Sequence, residues 1–279
     1  MSSSGSLKYF KRSRKPALAG KATNCLSCPA EPECLYSAKK IYNERHLQRG
    51  KIGFPVKIVV PEIEECLNDG GPHRAEAKLM DRLGEDYDAN TSPNEVDGRP
   101  WFGRCVYEAG NDVCDDQYVT ITWEDGALPS SAPSNATTRL EGRGAKTATL
   151  HMIALTEKIC ERRGRVYGTQ GELEYDSKVI RVHDFSTGQT QTHHPHQPGG
   201  GHGGGDDGLA MQYVKAVDAV KNQGMSAEEA QSLYLGCSLE DVIRSHAMVF
   251  AAEDARRGKQ TVDWERWWED NVNSKVHPG

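Results

Sequence analysis

The chain has 279 residues, 37% of them hydrophobic, with a mean hydropathy of -0.68 and a formal net charge of -6. That length supplies the core of one main domain with long loops, and the negative balance excludes a global basic field that would draw nucleic acid or an anionic membrane. No run approaches the ~20 apolar residues of a membrane-spanning helix, and no apolar stretch follows the first basic residues as a secretory signal requires, so a cytoplasmic location is expected, with neither membrane nor nucleic acid as partner.

Residues 1–55 read as an irregular segment carrying a cysteine cluster. Met1 to Thr23 holds six Lys or Arg and no acid, a composition that also suits a mitochondrial transit peptide, whereas Leu7-Lys8-Tyr9-Phe10 reads as a short strand entering the fold. Eight Cys, three crowded and five scattered, do not resemble a dense secreted framework, so reduced thiols are expected. Cys25, Cys28 and Cys34 have a C-x2-C-x5-C spacing, and two cysteines separated by two residues can bind one ion with both sulfurs. A structural zinc wants four such ligands. Only three are local, His46 and Cys66 are open choices for the fourth, and the shortage argues against a tight site. The same thiols also read as a redox pair or as ordinary buried or surface cysteines.

Tyr36 to Arg49 predicts a helix with Tyr36, Ile41 and Tyr42 near one face, and Val56-Lys57-Ile58-Val59-Val60 predicts a strand that stops at Pro61. Asp69 to Pro100 is mostly loop by its Gly, Pro, Asp and Asn content, with a short helix over Ala75 to Leu83. Gln117 to Trp123 alternates strictly, with Val119, Ile121 and Trp123 on one face and Tyr118, Thr120 and Thr122 on the other; Asp125-Gly126 is a hairpin turn. The return strand is delayed by a loop insertion, residues 128–146, rich in Pro, Ser, Gly and Asn. Strands follow over Thr147 to Leu155, Arg165 to Tyr167, Glu172 to Tyr175 and Val179 to Phe185, with Gly168 and Gly171 turning the chain between the second and third of these.

The last third is helical. Leu209, Tyr213, Val214, Val217 and Val220 recur at helix spacing after Asp206 and Asp207, which suit the positive end of a helix dipole, and Gly224 ends the run. Ser226 with Glu229 makes a capping box, and Ser238 caps a third helix through Arg257, closed by Gly258. Strands first and helices after, without regular alternation, predict an α+β fold: an open, mainly antiparallel β-sheet with helices packed on one face. The main domain on this reading covers residues 56–264, followed by a tail, 265–279.

Gly199-Gly200-Gly201-His202-Gly203-Gly204 matches G-x-G-x-x-G by letter, but a dinucleotide fingerprint needs a strand delivering the glycine turn to a helix. The preceding Thr192-His193-His194-Pro195-His196-Gln197-Pro198 reads as a loop. His202 and Asp206 beside flexible backbone suit a polar ligand; Asp206 as a plain N-cap after a glycine linker is the competing reading. His193, His194 and His196 read either as metal ligands or, better, as a solvated loop.

Three segments in order resemble the C-terminal domain of the Gfo/Idh/MocA oxidoreductase family, named for glucose-fructose oxidoreductase and inositol dehydrogenase. They are Gly103-Arg104-Cys105-Val106-Tyr107 with Asn111-Asp112-Val113-Cys114-Asp115; Thr156-Glu157-Lys158-Ile159-Cys160-Glu161-Arg162-Arg163 with Tyr167-Gly168-Thr169-Gln170-Gly171-Glu172-Leu173; and Gly201-His202-Gly203-Gly204-Gly205-Asp206. The helix from Ser238 to Glu253 also fits, and the likeness runs from about Gly5 to Trp264. It implies an open sheet that binds substrate and builds an oligomer, and hydride transfer between NAD or NADP and a sugar, polyol or related hydroxyl compound. The family's Rossmann domain, with its Glu-Lys-Pro and Asp-x-x-x-His segments, would precede Gly5, and Arg14-Lys15-Pro16 is no substitute. The chain alone is therefore expected neither to bind the dinucleotide nor to be active.

Tyr107, Asn111, Asp112, Arg163, His202 and Asp206 are the substrate-side candidates. Their hydroxyl, amide and carboxylate groups suit sugar hydroxyls, and Arg163 suits an acidic substituent. Their competing role is a polar network that organises loops. A homo-oligomer through the sheet is expected. The rival classes are a noncatalytic interaction or scaffold protein, and a metal-stabilised binding module centred on the three cysteines.

Overall fold

A computed structural model describes residues 1–125, 144–157, 161–199 and 201–276. The fold is α+β, with two antiparallel sheets where the sequence pattern draws one: a three-stranded sheet in the order β1-β2-β3 and a four-stranded sheet in the order β4-β5-β6-β7. The chain divides into two units, Gly5–Gln117 and Met1–Ser4 with Tyr118–Gly279.

In the Gly5–Gln117 unit the core is built by α1 (Val56–Val59) and α2 (Ile63–Gly84). The expected strand at Val56 is thus a helical turn. Val56, Val59 and Val60 are fully buried while Ile58 is exposed, an i, i+3, i+4 pattern that buries three valines together; a strand would turn Ile58 inward with Val56 and Val60. In α2, Ile63 and Cys66 precede a bend at Gly71, whose φ of 67° leaves the helical region. Pro72 restarts the helix, its missing N–H costing nothing at a first turn, and Ala75, Leu79 and Leu83 then bury one stripe against the valines. The helix therefore extends well before the predicted Ala75 start. α3 (Pro93–Gly98) is capped by the Ser92 side chain, which accepts from Glu95 N.

Two further expectations fail in this unit. The strand is Ser2–Ser6 (β1), not Leu7 to Phe10: Gly5 packs so close to Asp116 O that a Cβ there would stand 2.7 Å away. The N–H groups of Lys8 and Tyr9 go to the Asp115 carboxylate instead of a ladder. Tyr36 to Arg49 is not one α-helix but a π-turn, Lys39–Glu44, and a 3-10 turn, Leu47–Arg49, separated at His46, whose Nδ1 lies 2.6 Å from Ile41 O.

The other unit carries most of the strands. β2 (Asp116–Trp123) and β3 (Lys146–Ile153) occur close to the predicted positions, but the expected alternation of a buried and an exposed face is not seen, since β3 is exposed throughout and Trp123 is exposed along with Tyr118. Tyr118 stacks on His151 with ring centroids 3.8 Å apart. Gly126 of the predicted turn and residues 128–143 of the insertion lie outside the described residues; Asp125 Oδ1 accepts from Ala145 N at 3.0 Å. β4 (Gly164–Tyr167), β5 (Gly171–Tyr175), β6 (Ile180–Asp184) and β7 (Gln189–His193) form an antiparallel meander whose register aligns Val166, Leu173 and Val182. Gly171 permits the close approach of β6, since a Cβ there would meet His183 O at 2.3 Å. The strand β7 corrects the loop reading of Thr192 and His193: as an edge strand it is exposed throughout and is held by backbone pairing with β6.

α4 (Gly205–Asn222), α5 (Ala227–Ala230) and α6 (Leu239–Gly258) occur where predicted, with both capping boxes formed, by Ser226 with Glu229 and by Ser238 with Asp241. Their buried residues are small: Ala216, Ala219 and Ala230 in one cluster, Ala251 and Ala255 with Val262 in another. The longer apolar stripe of α4 is exposed, including Leu209 at 65% and Val214 at 60%. No helix among the described residues is long and apolar enough to cross a membrane.

Candidate functional site

α4 begins where the glycine-rich stretch ends. Gly203 and Gly204 lie at φ 70° and 91°, the left-handed region that glycine enters without a Cβ penalty. His202 adopts the same region at φ 47°, where a side chain brings strain. Its Nδ1 lies 2.9 Å from Asp206 Oδ2 and 3.0 Å from Oδ1, so a carboxylate on the first turn of α4 fixes the ring. Both side chains are more than half exposed. With Nδ1 engaged, Nε2 is the ring nitrogen that can accept from a hydroxyl when neutral or donate to one when protonated.

Arg163, immediately before β4, lines a cavity of about 350 Å³ with Glu161, Arg165, Glu174, Asp176 and Arg181. Arg165 is paired with Glu174 at 3.4 Å. The cavity is charged on both signs, so an acidic group entering it competes with resident carboxylates for the guanidiniums.

Tyr107, Asn111 and Asp112 lie in the Gly5–Gln117 unit, whereas Arg163, His202 and Asp206 lie in the other. Tyr107 is 5% exposed and packs within a ring cluster with Tyr9, Phe10 and Tyr36. Burial, reinforced by a hydrogen bond with Tyr9, pushes its hydroxyl pKa well up. Asn111 Oδ1 accepts from Val113 N at 3.3 Å, and Asp112 is exposed beside it. Of the six, the structure thus brings together His202 and Asp206.

The sequence reading passed over Cys105 as a partner of the cysteine cluster. Thr23–Cys25 pairs antiparallel with Gly103–Cys105 about an Asn24–Arg104 bridge, Cys25 N donating to Gly103 O at 2.8 Å and Cys105 N to Thr23 O at 2.7 Å. Burial pushes the Cys25 thiol up to about 11 against an opposing hydrogen bond from the Ala38 backbone, and Cys105, Cys34 and Cys28 each add repulsion. The Cys105 thiol is raised likewise by burial, opposed by the Tyr107 backbone, with Cys28 near enough to repel it. The signal available in sequence was only that Cys105 lies in the Gly103-Arg104-Cys105-Val106-Tyr107 segment. As the side chains stand, no three His, Cys, Asp or Glu among the described residues, His193, His194 and His196 included, form a ready-made metal cage.

The glycine stretch does not fit a dinucleotide. β7 ends at His193, on the edge of an antiparallel meander, and further residues separate it from the glycines and α4. The tight strand-to-helix turn of a nucleotide fold, which aims free N–H groups at a pyrophosphate, is not made here. No family model, curated protein or solved structure matches this chain.

Proposed function

We propose that the chain is the substrate-binding and oligomerisation domain of a Gfo/Idh/MocA-type oxidoreductase acting on a sugar, polyol or related hydroxyl compound, in the cytoplasm and inactive alone. The observation that carries this reading is the His202–Asp206 pair: a ring held at 2.9 Å by a carboxylate, on strained backbone, at the exposed mouth of a helix. Strain of about 1–3 kcal/mol at such a residue persists where surrounding structure repays it, and it concentrates at ligand sites. Asp206 orients the ring, and Nε2 meets a substrate hydroxyl. Arg163 is the group that would meet an acidic substituent, in competition with the carboxylates that share its cavity. The nicotinamide, which supplies or accepts the hydride, is held by a separate nucleotide-binding fold.

The test is calorimetric titration of the purified chain with polyols, neutral sugars and sugar acids. Saturable binding that is lost in His202→Ala and Asp206→Asn, with far-UV dichroism unchanged, supports the assignment. Absence of binding across the panel, or binding indifferent to both changes, overturns it.

A further inference from the structure

The sequence leaves open which group joins Cys25, Cys28 and Cys34. His46 is engaged with Ile41 O, and Cys66 is buried on the core face of α2. Cys105 is the one that the fold brings near. In the antiparallel pair centred on Asn24 and Arg104, Cys25 lies opposite Gly103 and diagonal to Cys105, a relation that sets β-carbons within about 7–8 Å. Gly103, facing Cys25, has no side chain because the Leu83 carbonyl packs there, 1.8 Å from where a Cβ would stand.

From Cys25 the chain closes on itself at intervals of three residues. Cys28 N donates to Cys25 O at 3.3 Å, Glu31 N to Cys28 O at 3.1 Å, and Cys34 N to Glu31 O at 3.0 Å. These turns keep Cys28 and Cys34 beside Cys25 instead of letting an extended segment carry them off. Backbone N–H groups of Ala38 and Tyr107 point at the Cys25 and Cys105 sulfurs, the outer-shell support that thiolates need. The segment has little regular structure of its own; Asn24 ties it to the end of α2 by donating to Leu83 O and Glu85 O. Between Ala17 and Ser37 its regular structure is limited to the 3-10 turns Ala17–Ala19 and Glu31–Glu33, yet Ala19, Asn24, Cys25 and Ala30 are buried.

We propose that Cys25, Cys28, Cys34 and Cys105 form a tetrathiolate site for one zinc ion, which ties the Cys25–Cys34 turns to the Gly103–Cys105 strand. Four soft sulfur ligands select zinc over hard cations and leave no open coordination position, so the role is structural. Protonated thiols have no reason to converge; the ion displaces their four protons to solvent, sheds its own waters and draws the sulfurs to ~2.3 Å. No electron is transferred.

The test uses the full chain expressed with zinc sulfate and purified without chelator. One zinc per chain is expected, with at least tenfold loss of occupancy in Cys25→Ser and Cys105→Ser and none in Cys66→Ser. Cobalt in place of zinc should give the intense near-ultraviolet thiolate charge-transfer band and the visible bands of tetrahedral geometry. If a serine variant does not fold, alkylation of the native chain decides: the four thiols should be protected with zinc and react together after chelation. Full occupancy in Cys105→Ser, zinc at background level, thiols equally reactive with and without zinc, or bound iron with sulfide would each overturn the proposal.

Discussion

Asp115 holds the start of the chain: its carboxylate accepts from Lys8 N at Oδ1 and from Tyr9 N at Oδ2, each at 2.7 Å. Burial by itself pushes its pKa up, but backbone donation from Lys8, Tyr9 and Phe10 outweighs that and holds it below the ordinary 3.8. A depressed folded-state pKa means stabilisation that is present above the ordinary value and lost as pH falls through the folded one. Asp115→Ala should therefore cost roughly 1–3 kcal/mol near neutrality, because two part-buried backbone donors lose their acceptor. Urea unfolding of both proteins from pH 7 to pH 3 should show the gap narrowing at the acid end.

Glu253 makes a similar but more exposed arrangement on α6, accepting from Arg256 Nε at 2.7 Å and Arg257 Nε at 2.5 Å. These two arginines lower its pKa from 4.5 to about 2. Its contribution is complete above about pH 5 and fades toward pH 2, so Glu253→Gln should flatten the acid limb of the thermal stability profile. The effect should also shrink in high salt, since the groups are partly in water.

Lys259 caps α6 in the left-handed region at φ 50° and ψ 45°, its N–H donating to helix carbonyls. A Cβ is disfavoured there, and glycine is the usual occupant of this position. Lys259→Gly should stabilise the protein by about 0.5–1 kcal/mol after the glycine's own entropy cost, visible as a melting point raised by a few degrees.

Self-association is the expected outcome of what the helices leave uncovered. The small Ala clusters of α4 and α6 bury little area, while Tyr118, Leu150, Leu209 and Phe250 all remain exposed. Sedimentation at micromolar concentration should show a species larger than the 30.8 kDa chain. Replacing Tyr118 and Thr120 together with Lys should shift it toward monomer by placing charge on the β2 face that stacks on His151. A monomer throughout the range would remove the assembly role.

Local chemistry wrote several elements into the sequence. Ser226 with Glu229 and Ser238 with Asp241 close their capping boxes within four residues of chain, so those helix starts needed no knowledge of the rest of the fold. Gly168 and Gly171 turn β4 into β5 for the same reason, and Asp206 lies one turn beyond His202, near enough to hold it. Tertiary structure decided the remainder. Val56-Lys57-Ile58-Val59-Val60 carries both a strand and a helix pattern, and the buried face of α2 selects the helical one that puts three valines against Leu79 and Leu83. Gln189–His193 has no apolar signal, because an edge strand exposed on both faces is held by the backbone of β6 alone. Cys105 comes beside Cys25 only through the pairing of two distant segments about Asn24 and Arg104; cysteine spacing describes local turns and cannot register a neighbour brought in by the fold.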